Sequence, residues 1–199
     1  MKQKILSLFL FSNKLKFSEI EKSLRERSNK LTYHLNQLVK KNILVKNNST
    51  YSLSETSEYL IPYLSEKNSP LPVILIQIKN KNHVFLYKRN KRPFLGKLSL
   101  PGGRLLVGEN LKQAVNRIMK KHNITAKLTQ INSVSLEHVK KKNNKLHSFL
   151  LIFTTATTKD KINFTDINKN KSKIISSDYK LITEDEDEKV KIKEFLTKS

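Results

Sequence analysis

The chain has 199 residues, enough for one large domain or for two small ones with a modest core each. Lys and Arg number 39 against 17 Asp and Glu, a formal net charge of +22, so polyanions such as nucleic acid or nucleotides are the natural partners. There is no cysteine, which excludes a disulfide framework and any thiolate metal site.

In chain order, Lys2 and Lys4 precede an apolar run from Ile5 to Phe11. The run has the outline of a short signal peptide, but Ser12-Asn13-Lys14 ends it without a small-residue cleavage site, so residues 3–11 are predicted as a helix. No apolar stretch approaches the roughly 20 residues that span a bilayer, and the expectation is a soluble, cytoplasmic protein. Ser18 reads as an N-cap with Glu21 completing a capping box, which predicts a second helix over 18–27. After a break at Arg27-Ser28-Asn29, Leu31, Leu35, Leu38 and Val39 fall at helical spacing and predict a third helix ending near Lys41-Asn42. Ile43 to Lys46 and Tyr51 to Leu53 read as short strands around the polar turn Asn47 to Thr50, and Ser54 opens a fourth helix through about Leu64.

Three helices, a hairpin and a fourth helix make the order of a winged helix-turn-helix. The segment KLTYHLNQLVKKNILVKNNSTYSLSETSEYL resembles the recognition helix and wing of bacterial and archaeal regulators of that superfamily. The resemblance covers about the first third of the chain and implies double-stranded DNA as a partner. On that logic Ser28, Asn29, Lys30, Thr32, Tyr33 and Asn36 face the major groove, with Asn36 suited to adenine and Lys30 to guanine or phosphate. Leu31, Leu35 and Leu38 face the core, and Lys40, Lys41 and the wing residue Lys46 are candidate phosphate contacts, which set affinity but not sequence. Solvated surface is the alternative for each residue taken singly. Residues 1–70 hold 12 basic and 6 acidic residues, a balance of only +6, so a protein partner is the alternative for the whole unit.

The domains are therefore predicted as 1–66 and 73–199, joined by a linker at 67–72 that contains Ser69, Pro70 and Pro72. Within the second, VILIQI (73–78) and HVFLYKR (83–89) read as strands with a turn at Asn80 to Asn82, and Asn110 to Lys121 reads as a helix. Ser133 to Val139 and Ser148 to Thr155 are further strands, the latter an apolar run suited to a buried sheet. Residues 159–182, rich in Lys and Asn, suggest a loosely ordered edge strand and loop. Thr183 heads a predicted final helix, with Glu184, Asp185 and Glu186 in its first turn as capping residues rather than as a metal site.

The segment RPFLGKLSLPGGRLLVGENLKQAVNR resembles the Nudix family, whose signature runs Gly, five residues, Glu, seven residues, Arg-Glu, an apolar residue, any residue, Glu-Glu. Gly103, Glu109 and Arg117 stand at the right spacing in a box over 103–124, after the lead-in Leu100 to Gly103. The preceding Arg89, Arg92, Pro93, Phe94, Gly96 and Lys97 resemble the subgroup handling ADP-ribose-like compounds, which includes Nudix-related transcriptional regulators. The implied fold class is α+β: a winged helix followed by an α/β/α sandwich with a mixed sheet.

In that family the strand, turn and helix place carboxylates on one helical face to hold Mg²⁺ against a diphosphate. Here Ile118 follows Arg117, and Lys121 and His122, or Lys120 and Lys121 in the neighbouring register, replace the paired glutamates. Residues 71–158 contain 17 Lys or Arg and two acids, Glu109 and Glu137. Unless acids arrive from the C-terminal segment, hydrolysis is expected to be lost or very slow, with no catalytic residues and no metal. Arg117 is left either to contact phosphate or to pair with Glu109, and His122 reads as surface or cap. The constructive reading is a ligand site without metal, formed by Arg89, Arg92, Gly102, Gly103, Arg104, Glu109, Arg117, Lys120 and Lys121. Gly102 and Gly103 are expected in a turn that needs positive φ. A domain kept only as a scaffold is the alternative.

The whole reads as a ligand-responsive DNA-binding regulator, with a nucleotide-like effector such as ADP-ribose, no cofactor and a possible homodimer. Its rivals are a Mg²⁺-dependent pyrophosphohydrolase carrying a nucleic-acid-binding module, and a binding module without effector.

Overall fold

The computed structural model describes residues 1–64, 69–141 and 144–195. The chain divides into two compact units, 1–69 and 70–199. Of the expected linker, residues 67 and 68 lie outside the described residues, and Leu71 and Pro72 already belong to a strand.

In the first unit α1 spans Lys2–Leu8, β1 Leu15–Lys16, α2 Phe17–Leu24, α3 Ser28–Lys40, β2 Leu44–Asn47 and β3 Thr50–Leu53. Leu31, Leu35 and Leu38 of α3 are fully buried with Ile5, Ile20 and Leu44, as their spacing requires. The strands form a sheet in the order β1-β3-β2, and Asn48, at φ 52°, turns the β2–β3 hairpin.

Four expectations need correction here. The second helix starts at Phe17, because the extended pair Leu15–Lys16 is held by β3, and its box is closed by Glu19 accepting from the Lys16 amide (2.6 Å), not by Ser18 and Glu21. It ends at Arg25, whose φ of 50° is left-handed, and Ser28 and Asn29 open α3 instead of breaking the chain. Glu55–Tyr63 is a 3-10 helix, not an α-helix. Its bonds run three residues back, as from the Leu64 amide to Ile61 O (3.1 Å), and Ser54 Oγ is spent on Asn42 O (2.6 Å) rather than on capping. The first helix is also shorter than 3–11, which leaves Phe11 exposed.

In the second unit β4 spans Leu71–Gln77, β5 Lys79–Asn80, β6 His83–Val84, β7 Tyr87–Lys88, β8 Leu98–Ser99 and β9 Gly102–Arg104. There follow α4 (Leu111–Lys120), β10 (Ala126–Lys141), β11 (Asn144–Thr158), β12 (Thr165–Asp166), a 3-10 turn over Lys171–Lys173 and α5 (Ser176–Glu184). The main sheet runs β10-β11-β4-β9. It is mixed, because β11 and β4 are parallel and the other pairs antiparallel.

β4 reads as a continuous apolar run because both of its faces are covered. Ile74, Ile76 and Ile78 join Leu111, Ala114, Val115, Ile118 and Met119 of α4 in one core. Leu75 joins Leu151 and Phe153 with Leu181 and Ile182 of α5 in the other. Helix, sheet and helix are thus stacked in an α+β unit. Asn110 caps α4: its Oδ1 accepts from the Gln113 amide (3.0 Å) while Gln113 Oε1 accepts from the Asn110 amide (2.8 Å).

The predicted strand 83–89 is two strands with different partners: β6 pairs with β5 and β12, β7 with β8. The strands expected at 133–139 and 148–155 are parts of one long hairpin. The final helix is α5, ending where the sequence would begin it. Thr183 Oγ1 donates back to Tyr179 O (2.9 Å), and the acids beyond leave the helix to tie its exit to the sheet edge. Ser133 donates to Asp185 Oδ2 (2.5 Å), Lys79 pairs with Glu186, and Val190 N donates to Ile131 O (2.9 Å). Residues 159–182 are not loose: Ile167, Ile174, Ile175, Asp178, Leu181 and Ile182 are buried. Among the described residues no helix is long and apolar enough to cross a membrane.

Candidate functional site

A cleft of about 290 Å³ opens on the α5 side of the main sheet. Its floor comes from β4 and β11 through Val73, Leu75, Phe149 and Leu151, and one wall from Gly102, Gly103 and Arg104 of β9. Glycine is needed in that wall for closeness and not for turning, which corrects the expectation of positive φ: only Gly96 and Gly108 carry it. A Cβ on Gly102 would stand 2.8 Å from Leu75 Cδ2 and 3.0 Å from the Ile74 carbonyl oxygen, and one on Gly103 3.0 Å from Ile118 Cγ1.

The facing wall is the loop between β7 and β8. The Arg89 amide donates to Lys97 O and the Gly96 amide to Arg89 O (both 2.9 Å), closing the loop, and Arg89 Nε donates to Pro93 O (2.9 Å) across it. Phe94 is held at φ 63°, a conformation a bulky residue keeps only where its surroundings over-determine it. The loop thereby contributes Arg89, Lys91, Arg92 and Phe94 to the cleft lining beside Tyr87, and β9 adds Arg104. None of these four cations is in an ion pair among the described residues.

Two carboxyls also line the cleft, Glu137 of β10 and Asp178 of α5. Asp178 Oδ2 accepts from Ser99 Oγ and from the Leu100 amide (both 2.8 Å), while no described residue donates to Oδ1. Burial pushes this carboxyl up from its usual 3.8 to about 6, against the pull of those two donors, and Glu137 adds repulsion. Glu137 itself accepts from Ser177 Oγ (2.6 Å).

Of the residues expected to bind ligand, Arg89, Arg92, Gly102, Gly103 and Arg104 are brought together, whereas Glu109, Arg117, Lys120 and Lys121 do not line the cleft. Arg117 donates to Glu109 through Nε (2.5 Å) and Nη2 (2.7 Å), and to Arg104 O through Nη2 (2.8 Å). The guanidinium holds the Glu109 carboxyl below its ordinary range. Lys120 and Lys121 are exposed at the end of α4, so the cations facing the cleft come from the β7–β8 loop and β9 instead. His122 is half-buried beneath Tyr87, with ring centroids 4.7 Å apart, and desolvation lowers its pKa.

Lys91, Tyr87, Phe94, Phe149, Glu137 and Asp178 were not singled out as ligand-binding by the sequence. Lys91, Tyr87 and Phe94 flank the Arg89–Arg92 lead-in and could have been found by adjacency. Phe149 and Asp178 are brought in by long-range packing and leave no local signal.

The cleft does not fit a resident divalent cation. Asp178 Oδ2 is already engaged by Ser99 and the Leu100 amide, four cations share the cleft, and Glu109 is committed to Arg117. Among the described residues no three His, Asp or Glu side chains are grouped to hold a metal.

In the first unit the nine residues expected at DNA, Ser28, Asn29, Lys30, Thr32, Tyr33, Asn36, Lys40, Lys41 and Lys46, are all exposed. Two are partly occupied: Ser28 donates to Glu21, and Lys30 pairs with Glu26 (3.0 Å), which lowers the Glu26 pKa. Lys46 Nζ lies 5.6 Å from the centroid of the Tyr51 ring.

No protein-family model and no curated protein matches the chain. Among solved structures it is similar to a MutT protein from Methanosarcina mazei, at 17% identity and TM-score 0.49, covering 62% of this chain and 100% of that one. It is also similar to a hydrolase of the Nudix family from Clostridium perfringens, at 18% identity and TM-score 0.45, covering 59% and 96%. A Nudix hydrolase from Nitrosomonas europaea is similar at 24% identity and TM-score 0.40, covering 51% of this chain, which spans 53% of that protein's length.

Proposed function

We propose that the second unit is a Nudix-type domain that binds a nucleoside-diphosphate-like ligand without cutting it, and that the first is a winged helix-turn-helix that binds double-stranded DNA. Together they make a ligand-responsive regulator. The observation that carries the reading is the cleft lining: Arg89, Lys91, Arg92 and Arg104 stand beside Tyr87, Phe94 and Phe149, and none of the four cations is neutralised by an ion pair among the described residues. Guanidinium groups match phosphate oxygens bidentately, and aromatic rings suit the face of a base. The free edges of Glu137 and Asp178 suit a ligand's hydrogen-bond donors.

The DNA side is supported by the element order of the first unit and by the exposed polar face of α3 above its buried leucines. Regulation requires the ligand to bind the DNA-competent and incompetent states differently.

The test is melting of the full chain with ADP-ribose and nucleoside diphosphates, each with and without Mg²⁺, together with DNA affinity in the presence of whichever ligand stabilises. Stabilisation independent of Mg²⁺ and without product supports the reading; Mg²⁺-dependent product formation overturns it. One observation favours that second, hydrolytic reading: Asp178 brings to the cleft a second carboxylate from the C-terminal segment.

A further inference from the structure

β10 is the terminal strand of the main sheet and pairs on one side with β11. The chain beyond α5 covers the near part of its outer edge. The Val190 amide donates to Ile131 O (2.9 Å), the Gln130 side chain donates to Glu188 O (2.7 Å), and Ser133 donates to Asp185. From Val134 to Val139 no described residue pairs with that edge.

A bare strand edge invites pairing with another strand, and proteins ordinarily blunt it with lysine, proline or a covering segment. Here residues 128–139, LTQINSVSLEHV, contain no Lys, Arg or Pro, although the chain carries 39 Lys and Arg. Val134 and Leu136 share one face of the strand and are 42% and 61% exposed. Their partners across the ladder are Ile152, which belongs to the core under α4, and the half-buried Leu150. The apolar face under α4 is thus continued out to an edge that lacks any cation.

We infer that this edge is the interface between two copies of the chain, β10 of one pairing antiparallel with β10 of the other about a two-fold axis at Leu136. In that register Leu136 meets its own copy, Val134 meets His138 and Ser135 meets Glu137, so no like charges stand opposite each other. Slips of one residue would turn the apolar side chains to the wrong face. A slide of the axis to Ser135 would drive residues 137–139 of one copy into the segment covering Ile131 and Ser133 of the other, and a slide to Glu137 would oppose two carboxylates. Charge decides the occupant: two chains of formal net charge +22 can approach only where cations are sparse, and a polyanion finds no cation along 128–139. The contact brings Ser135 of the second copy beside Glu137, which lines the cleft, yet it does not depend on what the cleft binds.

The test is sedimentation of the nuclease-treated full chain over a range of protein and salt concentrations. A monomer–dimer equilibrium is expected that tightens as salt rises, because screening relieves the repulsion between like-charged copies. Leu136→Lys sets two lysines face to face at an exposed position and weakens the dimer roughly tenfold or more, leaving the melting temperature of the dilute monomer unchanged. Leu136→Cys places one thiol in a chain that has none. Opposed Cα atoms about 5 Å apart are within reach of a disulfide, so mild oxidation of this variant gives a covalent dimer. Phe11→Cys, exposed in the first unit, stays monomeric under the same treatment. A chain that is monomeric at every concentration overturns the interface, as does a dimer that Leu136→Lys leaves intact or that dissociates as salt rises. Cross-linking of Phe11→Cys as readily as of Leu136→Cys overturns it too.

Discussion

Arg117 grips both carboxylate oxygens of Glu109, Nε to Oε1 at 2.5 Å and Nη2 to Oε2 at 2.7 Å, and the pair stands outside the cleft. Glu109 Oε2 also accepts from the Leu106 amide, so this side chain fastens the turn between β9 and α4. A residue at the spacing of a family signature is here a brace.

Glu109→Gln accordingly leaves ligand affinity within about twofold and lowers stability by about 1–2 kcal/mol, the scale of a lost charged hydrogen bond with one partner left behind. Urea unfolding and ligand titration of the same variant check both halves. A variant that loses ligand binding but keeps its stability contradicts the bracing role.

Asp178 gives a pH signature. Its carboxyl is raised in the folded chain, so between about pH 4 and pH 6 the folded state holds more protons than the unfolded one, and stability falls as pH rises through that window. Asp178→Asn can still accept from Ser99 and the Leu100 amide and has no charge to bury. It gains on the wild type by an amount on the order of 2 kcal/mol between pH 4 and pH 8, measured by denaturant unfolding at each pH. Equal pH profiles for the two proteins refute the assignment.

The two cleft glycines separate by what a methyl group would strike. Gly102→Ala meets a carbonyl oxygen of β4, which cannot move without the strand, and costs about 1–3 kcal/mol together with ligand affinity. Gly103→Ala meets Cγ1 and Cδ1 of the buried Ile118 at 3.0 and 3.2 Å, with no backbone atom in the way, and costs less. Melting temperatures and ligand titration of both variants rank them.

The proposed DNA reading predicts that Asn36→Ala weakens binding to a selected duplex by about 1–3 kcal/mol and relaxes preference at one base pair. Lys46→Ala weakens all duplexes alike and reduces the salt slope by about 0.9. Fluorescence anisotropy across salt concentrations distinguishes the two behaviours, and equal binding by both variants and the wild type removes the first unit from DNA.

The sequence by itself determined whatever depends on short-range pattern. The stripe Leu31, Leu35, Leu38 is buried because helical spacing stacks those side chains on one face. The Asn110–Gln113 box closes because its two partners are three residues apart. Arg89, Arg92 and Arg104 reach the cleft because the loop and strand that carry them are local structures. What needed the tertiary structure was every feature joined across long stretches of chain. Pairing with separate partners splits 83–89 into β6 and β7. Burial against the sheet makes a helix of 176–184 where composition suggested loose chain, and sends the acidic run after it to the strand edge. That packing also carries Asp178 to within 2.8 Å of Ser99, 79 positions earlier, and so decides that the cleft has a second carboxyl. Propensity and spacing act over a turn or two, whereas buried area and backbone pairing are settled only when distant segments meet.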